Sequence, residues 1–296
     1  METPVACQTA TSQPKVIVKD FRIPLRSVWR NPGNRGQRGR RLIRALNWQL
    51  SKRLRPGPRT LHLANGAFFR AHSDCVVSSS LVYADWPEFH EIMFIRKTLE
   101  PGDAAIDIGA NVGHILLAIS DMIPPSELFA FEPTPVSFDR LRENWLLNRW
   151  PTDNLYQIAI GEAAGTMYIK NTSTPTTTNA LETEQRECTI PVRVAPLDSL
   201  IDLWRGLTIG LLKIDVEGFE RAVFRGARIF FQTFCPKLVM FESLDRKLDP
   251  EIGDVLGAAG YRVFQLDAKG KPEFGIAEAQ NLFAAPRALL TGSASN

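Results

Sequence analysis

The chain has 296 residues and a net charge of +3, long enough for one full-sized core plus an appendage. No apolar run reaches the roughly 18–20 residues that cross a bilayer, which excludes a helical membrane span. Cys7, Cys75, Cys188 and Cys235 are scattered without a C-x-x-C pair, which argues against a zinc site or a disulfide framework.

Residues 1 to about 38 are polar and aperiodic, with Asn31-Pro32-Gly33-Asn34 as a turn, and are expected to be largely disordered. Met1-Glu2-Thr3-Pro4 offers neither the basic nor the apolar region of a secretory signal, so the expected compartment is the cytoplasm, peripheral to a membrane if the basic arm meets one. Between Phe21 and Ser73 stand thirteen Lys or Arg residues and no Asp or Glu, leaving the rest of the chain acidic in balance. Within that run Leu42, Leu46, Leu50 and Leu54 recur every four residues beside Ile43, with cations on the other faces, and Pro56-Gly57-Pro58 ends the helix. Three readings of this arm, residues 1–60, stay open. It is a lead-in helix packed by those leucines on the domain that follows, a helix meeting an anionic membrane surface or lipid-linked substrate, or a polyanion-binding arm. Nucleic acid ranks last, because no stacking platform or known module accompanies the charge.

Residues 61–290 read as one further domain. Short β-prone pieces lie between Ala64 and Val82, a helix spans Glu88 to Leu99, and Pro101-Gly102 turns the chain into a strand at 104–108. That strand is apolar, as one buried on both faces should be, and it runs directly into Gly109-Ala110-Asn111-Val112-Gly113 before a helix at 114–122. Gly109 and Gly113 permit a tight turn and close approach of a ligand to backbone N–H groups at a helix start. The spacing is neither G-x-G-x-x-G nor a P-loop; Asp107-x-Gly109-x-Asn111-x-Gly113 fits an S-adenosylmethionine site. Leu128-Phe129-Ala130-Phe131 then leads to Glu132, about 20 residues past the loop, where an acid can accept both ribose hydroxyls.

Further strands are expected near 155–160, 210–215, 237–241, 261–265 and 281–285, with helices near 135–148, 218–230 and 250–259. Thr166–Lys170 and Thr189–Val194 form a hairpin-type insertion around the Thr-rich loop Asn171 to Asn179. The alternation predicts βαβ units around a mostly parallel sheet with helices on both faces. Many S-adenosylmethionine enzymes place an adenine-contacting acid after the third strand, and by that resemblance Glu162 in Ile160-Gly161-Glu162 is a candidate. Lys213-Ile214-Asp215-Val216-Glu217-Gly218 closes a buried strand with two carboxylates spaced by two, on one side of an extended chain. So close a pair repels, which raises one pKa and suits a general base. The two acids are also placed to share a divalent cation with Glu242, although no metal site is assigned, and they can equally cap the next helix or pair with Lys213. His114 and His90, in Trp86-Pro87-Glu88-Phe89-His90, can line an acceptor site or simply pack.

The stretches IDIGANVGHILLAI at 106–119, LFAFEPTPVSFDRLRENWLLN at 128–148 and GLLKIDVEGFERAVFRGA at 210–227, with PKLVMFES at 236–243 and GYRVF at 260–264, resemble the FkbM-type methyltransferases in content and order. The resemblance spans about residues 86 to 285. It implies a Rossmann-like class I fold, with a seven-stranded sheet whose last strand is antiparallel, and methyl transfer from S-adenosylmethionine. Carried over by position, Asp107, Gly109, Asn111, Gly113 and Glu132 match the cofactor site, and Asp215 and Glu217 the catalytic signature. His114 and Phe219 depart from the family pattern, where an aromatic residue and Ala are common. The implied reaction is O-methylation of a hydroxyl on a sugar, glycolipid or secondary metabolite, so the partner is a small-molecule or glycan acceptor. The rival readings are an inactive binding or scaffold protein on the same fold, and transfer to nitrogen, for which the D/N-P-P-Y type signature is absent.

Overall fold

The computed structural model describes residues 22–172, 181–182, 184–186, 188–275 and 279–291. The disorder expected of the first residues therefore lies outside the described residues as far as 21, as does most of the Thr-rich loop, from 173 on. From residue 22 the expectation of disorder is overturned. Helix α1 (Arg22–Arg30) passes through the predicted turn into α2 (Arg38–Leu54), and the turn is a structural staple. Asn31 Nδ2 donates to the carbonyls of Trp86 and Pro87 at 2.7 and 3.2 Å, while buried Asn34 donates to Val28 and Tyr83 carbonyls, both at 3.0 Å. These long-range bonds are invisible to a local reading of composition.

Helix α2 is present, but the leucine stripe does not hold it down. Its packed face carries Ala45, Trp48, Gln49 and Ser51, with Leu42 at the margin. Leu46, Leu50 and Leu54 face outward, as does Ile43. The chain continues through a hairpin of β1 (Arg59–His62) and β2 (Phe68–Ala71) into α3 (Val76–Tyr83) and α4 (Phe89–Thr98). Polar bonds fasten α2 to this region: Arg41 Nη1 to Asp85 at 2.7 Å, Trp48 Nε1 to Ser79 Oγ at 3.2 Å, and Lys52 Nζ to the same oxygen at 2.7 Å. Val28, Ala45 and Trp48 join the apolar cluster that covers one face of the main sheet, so the arm from α1 onward shares the core of the domain.

The domain proper follows the predicted alternation: β3 (Asp103–Ile108), α5 (His114–Ile119), β4 (Leu128–Phe131), α6 (Pro135–Leu147), β5 (Leu155–Tyr156), β6 (Ala159–Ile160), β7 (Gly165–Lys170) and β8 (Thr189–Ala195). It continues with β9 (Thr208–Ile214), α7 (Glu220–Arg225), α8 (Arg228–Phe234), β10 (Leu238–Glu242), α9 (Pro250–Ala258), β11 (Tyr261–Leu266), β12 (Pro272–Glu273), β13 (Asn281–Pro286) and α10 (Arg287–Thr291). The main sheet has the order β12-β11-β13-β10-β9-β3-β4-β5. From β5 to β10 all pairs are parallel, and β13 is antiparallel to its neighbours, giving the Rossmann-like seven-stranded arrangement with β12 added as a two-residue edge. Alternate residues serve the two faces. Ala105, Ala130 and Leu211 pack under the α2 to α6 side, while Ile106, Phe129 and Leu212 pack against α7, α8 and α9.

Two elements divide where one was expected. The strand at 155–160 splits: Leu155–Tyr156 extends the main sheet and Ala159–Ile160 joins β8 and β7 in a separate three-stranded sheet. The helix at 218–230 breaks at Gly226, where a Cβ would lie 2.1 Å from the Gly161 carbonyl oxygen, so the backbones cross there. Among the described residues no helix is long and apolar enough to cross a membrane.

The two faces of α2 make a direct test. Trp48→Ala removes a large buried ring and should destabilise the protein by about 3–5 kcal/mol in urea unfolding. Leu50→Gln on the outward face should stay within about 0.5 kcal/mol of wild type.

Candidate functional site

The order of strands reverses about β3, whose chain successor β4 lies on one side and β9 on the other, so the crevice beyond their carboxyl ends is the natural place for a ligand. Gly109 opens it. At φ +79° its backbone lies so close to β9 that a Cβ would stand 1.8 Å from the Asp215 carbonyl oxygen. The loop is tied on both sides: Gly109 and Ala110 N–H donate to the Phe131 carbonyl at 2.9 and 3.0 Å, and Asp215 N–H donates to the Ile108 carbonyl at 2.9 Å. Gly113, at φ +82°, starts α5 against Leu141 and Trp145, and Asn144 Nδ2 holds the Val112 carbonyl at 2.9 Å.

Beneath the loop sits a buried ion pair. Lys213 Nζ lies 3.0 Å from Asp107 Oδ1, 3.2 Å from the Gly109 carbonyl oxygen and 3.3 Å from Asp215 Oδ2. Burial opposes the charge on this ammonium, but the Asp107 and Asp215 carboxylates outweigh it and hold the pKa above the usual lysine range. Glu132, also buried, accepts from Asn111 N–H through Oε2 at 2.9 Å and from Thr134 N–H through Oε1 at 2.8 Å. Burial raises its pKa against the pull of those bonds.

Above these ties lies a cavity of about 500 Å³. Gly109, Asn111, Glu132, Asp215 and Glu217 line it, together with His114, Lys213 and Glu242. Asp107 and Gly113 do not line it: the first is fully buried on Lys213, and the second shapes the entry to α5. Phe131, Ile158 and Ile160 supply apolar wall. Glu162 is exposed, 3.2 Å from Arg225, and neither it nor His90 lines the cavity. Glu88, two residues earlier, does, paired to His114 Nε2 at 3.4 Å. Burial pushes the Glu88 carboxyl up, but the His114 imidazole outweighs it and leaves the pKa below the usual range.

Asp215, Glu217 and Glu242 converge so that one carboxylate oxygen from each lies within 4.8 Å of the others, close enough to hold a divalent cation. The extended alternation expected of 215–217 is broken, because β9 ends at Ile214 and Glu217 adopts φ +54°, a left-handed conformation unusual for glutamate. Capping of the turn falls to Glu220 instead, whose Oε1 accepts from Val216 and Gly218 N–H at 3.0 and 3.2 Å. Glu217 is thereby left for other work. Burial, then the neighbouring Glu242 and Asp215 charges, push its pKa up to about 7. Burial also raises Glu242, against a hydrogen bond from Gln280 at 2.9 Å.

The model of the methyltransferase FkbM domain matches residues 107–263. The chain is 29% identical over 260 residues to the 31-O-demethyl-FK506 methyltransferase FkbM of Streptomyces tacrolimicus, covering 76% of this chain and 92% of that protein. It is 27% identical over 135 residues to the hexuronic acid methyltransferase AglP of Haloferax volcanii, covering 46% of this chain and 54% of that protein. With the methyltransferase sdnD of Sordaria araneosa it shares 32% identity over 199 residues, 57% of this chain and 77% of that protein. Among solved structures, a methyltransferase FkbM from Methylobacillus flagellatus aligns with 14% identity and a TM-score of 0.41, covering 83% of this chain and 59% of that one.

The Lys213–Asp107 pair generates an expectation about stability. Lys213→Met leaves the Asp107 carboxylate buried without its cation and should cost about 3–5 kcal/mol in chemical denaturation. Lys213→Met combined with Asp107→Leu should recover most of that loss, because both charges are gone.

Proposed function

Because the chain belongs to the FkbM methyltransferase family, we propose that its cavity binds S-adenosylmethionine and directs the methyl group to a hydroxyl oxygen of a sugar, glycolipid or other secondary metabolite. Glu217 carries this reading: a half-buried carboxylate at the cavity, capping no backbone N–H among the described residues and with a pKa of about 7, has the properties of a general base for a hydroxyl. The names of two relatives, a hexuronic acid methyltransferase and a 31-O-demethyl-FK506 methyltransferase, support the oxygen acceptor.

The residues present fit the methyl donor. Each Glu132 oxygen already accepts one backbone N–H and retains a lone pair for a ribose hydroxyl. Phe131, Ile158 and Ile160 offer an apolar wall for a purine. Asp215 and Glu242 supply negative charge for a cationic ligand. When bound, S-adenosylmethionine would supply an electrophilic methyl on a sulfonium sulfur that leaves as a neutral thioether. Glu217 takes the hydroxyl proton as the carbon–oxygen bond forms and the carbon–sulfur bond breaks. Lys213 holds Asp215 and the Gly109 carbonyl in register, so the loop and the acid cluster keep one spacing through turnover. Asp107 and Gly113 act as positioning residues, the first through Lys213 and the second through the loop.

Variants and a pH profile check this. Glu217→Gln should keep S-adenosylmethionine affinity in calorimetry and lose turnover. For wild type, kcat/KM should rise about tenfold per pH unit below 7 and level off above it, because only ionised Glu217 accepts a proton. Glu242→Gln removes a neighbouring negative charge and should move that rising limb to lower pH. Activity of Glu217→Gln with an unchanged limb would assign the base elsewhere, to the His114–Glu88 pair first. Activity insensitive to chelator would show that the acid cluster works without a cation. Separately, Glu132→Ala should lower S-adenosylmethionine affinity about ten- to hundredfold, by loss of about 1.5–3 kcal/mol of hydrogen bonding. Because it also strips the Asn111 and Thr134 N–H groups of their acceptor, its melting temperature should fall as well.

A further inference from the structure

Helix α2 has two apolar faces, and the core uses one. At 3.6 residues per turn, Ile43, Leu46, Leu50 and Leu54 fall within an arc of about 80°, opposite the face that buries Ala45 and Trp48. They are 61, 41, 55 and 70% exposed. Helix α1, which packs on α2, presents Leu25 and Trp29, one turn apart, at 46 and 58% exposed. The Arg38 guanidinium sits 4.9 Å from the centre of the Trp29 ring. Around this apolar band stand Arg26, Arg30, Arg40, Arg53, Arg55 and Arg59, all exposed. None has a carboxylate partner among the described residues, and no acid occurs from residue 21 to 73.

We propose that this outward face of α1 and α2 lies on an anionic lipid bilayer, with Trp29, Leu46, Leu50 and Leu54 entering the boundary between headgroups and acyl chains and the arginines on lipid phosphates. Charge complementarity selects this occupant. A second copy docked by a two-fold axis would set the same arginines against one another. A nucleic acid would engage the cations and leave the leucines in water. A basic helix with an apolar stripe satisfies both features only at an interface between water and hydrocarbon. On its other side α2 packs on α3, which reaches the cavity. Ser79 on α3 accepts hydrogen bonds from Trp48 and Lys52 of α2, while Val77 on the same helix lines the cavity.

The test is co-sedimentation of the full chain with vesicles of phosphatidylglycerol and phosphatidylcholine, against vesicles of phosphatidylcholine alone. Binding should require the anionic lipid and weaken as salt rises, since screening acts within about 8–10 Å. Replacing Leu46, Leu50 and Leu54 together by Gln should weaken binding more than about tenfold, because each leucine contributes apolar area to the bilayer. The pair Arg40→Gln and Arg53→Gln should weaken it by about fivefold per cation. Both variants should keep the wild-type melting temperature and S-adenosylmethionine affinity, which separates this proposal from the catalytic one. Absence of binding to anionic vesicles overturns the proposal, as does binding that survives the triple leucine exchange. A particle mass that doubles in light scattering and halves in the triple variant, without vesicle binding, assigns the face to a second copy instead.

Discussion

A single buried ammonium governs the geometry of this protein's site. Lys213 lies among Asp107, the Gly109 carbonyl and Asp215 with almost no access to water. A charge placed there must be matched by oxygens at hydrogen-bonding distance, since the penalty for leaving it alone is several kcal/mol. The strands that supply those oxygens, β3 and β9, are therefore held at the reversal point of the sheet. The glycine loop on one and the acid turn on the other cannot drift apart without exposing an unpaired ion.

The carboxylates around that tie divide their tasks by how many backbone N–H groups each meets. Glu132 meets two and locks the glycine loop to the end of β4. Glu220 meets two and closes the turn between β9 and α7. Asp215 pairs with Lys213. Glu217 is left with burial and like charges, which raise its pKa, and with a left-handed backbone that the surrounding turn imposes. Four acids within a few residues or one strand of each other thus acquire different chemistry from their partners, not from their residue type.

The arm obeys the same rule of partners. Asn31 and Asn34 find carbonyls some fifty residues away in sequence, and Trp48 finds a hydroxyl on α3, so a stretch that reads locally as loop and solvated helix becomes part of the core. Leu46, Leu50 and Leu54, which a helical wheel assigns to the interior, remain outside because the opposite face has both the aromatic ring and the polar anchors.

What the sequence determined by itself was the framework: the βαβ alternation, the glycine loop of 109–113, the acid that follows the next strand, and the paired acids after Lys213. These signals are local, since strand apolarity, glycine conformational freedom and strand-end acids act within a few residues of the chain. Tertiary structure alone decided the rest. It put Glu88 rather than His90 at the cavity, sent Glu162 to the surface, and gave capping to Glu220 rather than Asp215 or Glu217. It also divided the strand at 155–160 between two sheets and turned the leucines of α2 outward. Each of those outcomes depends on which distant backbone or side chain arrives within hydrogen-bonding or packing distance, and periodicity along one segment carries no information about the other.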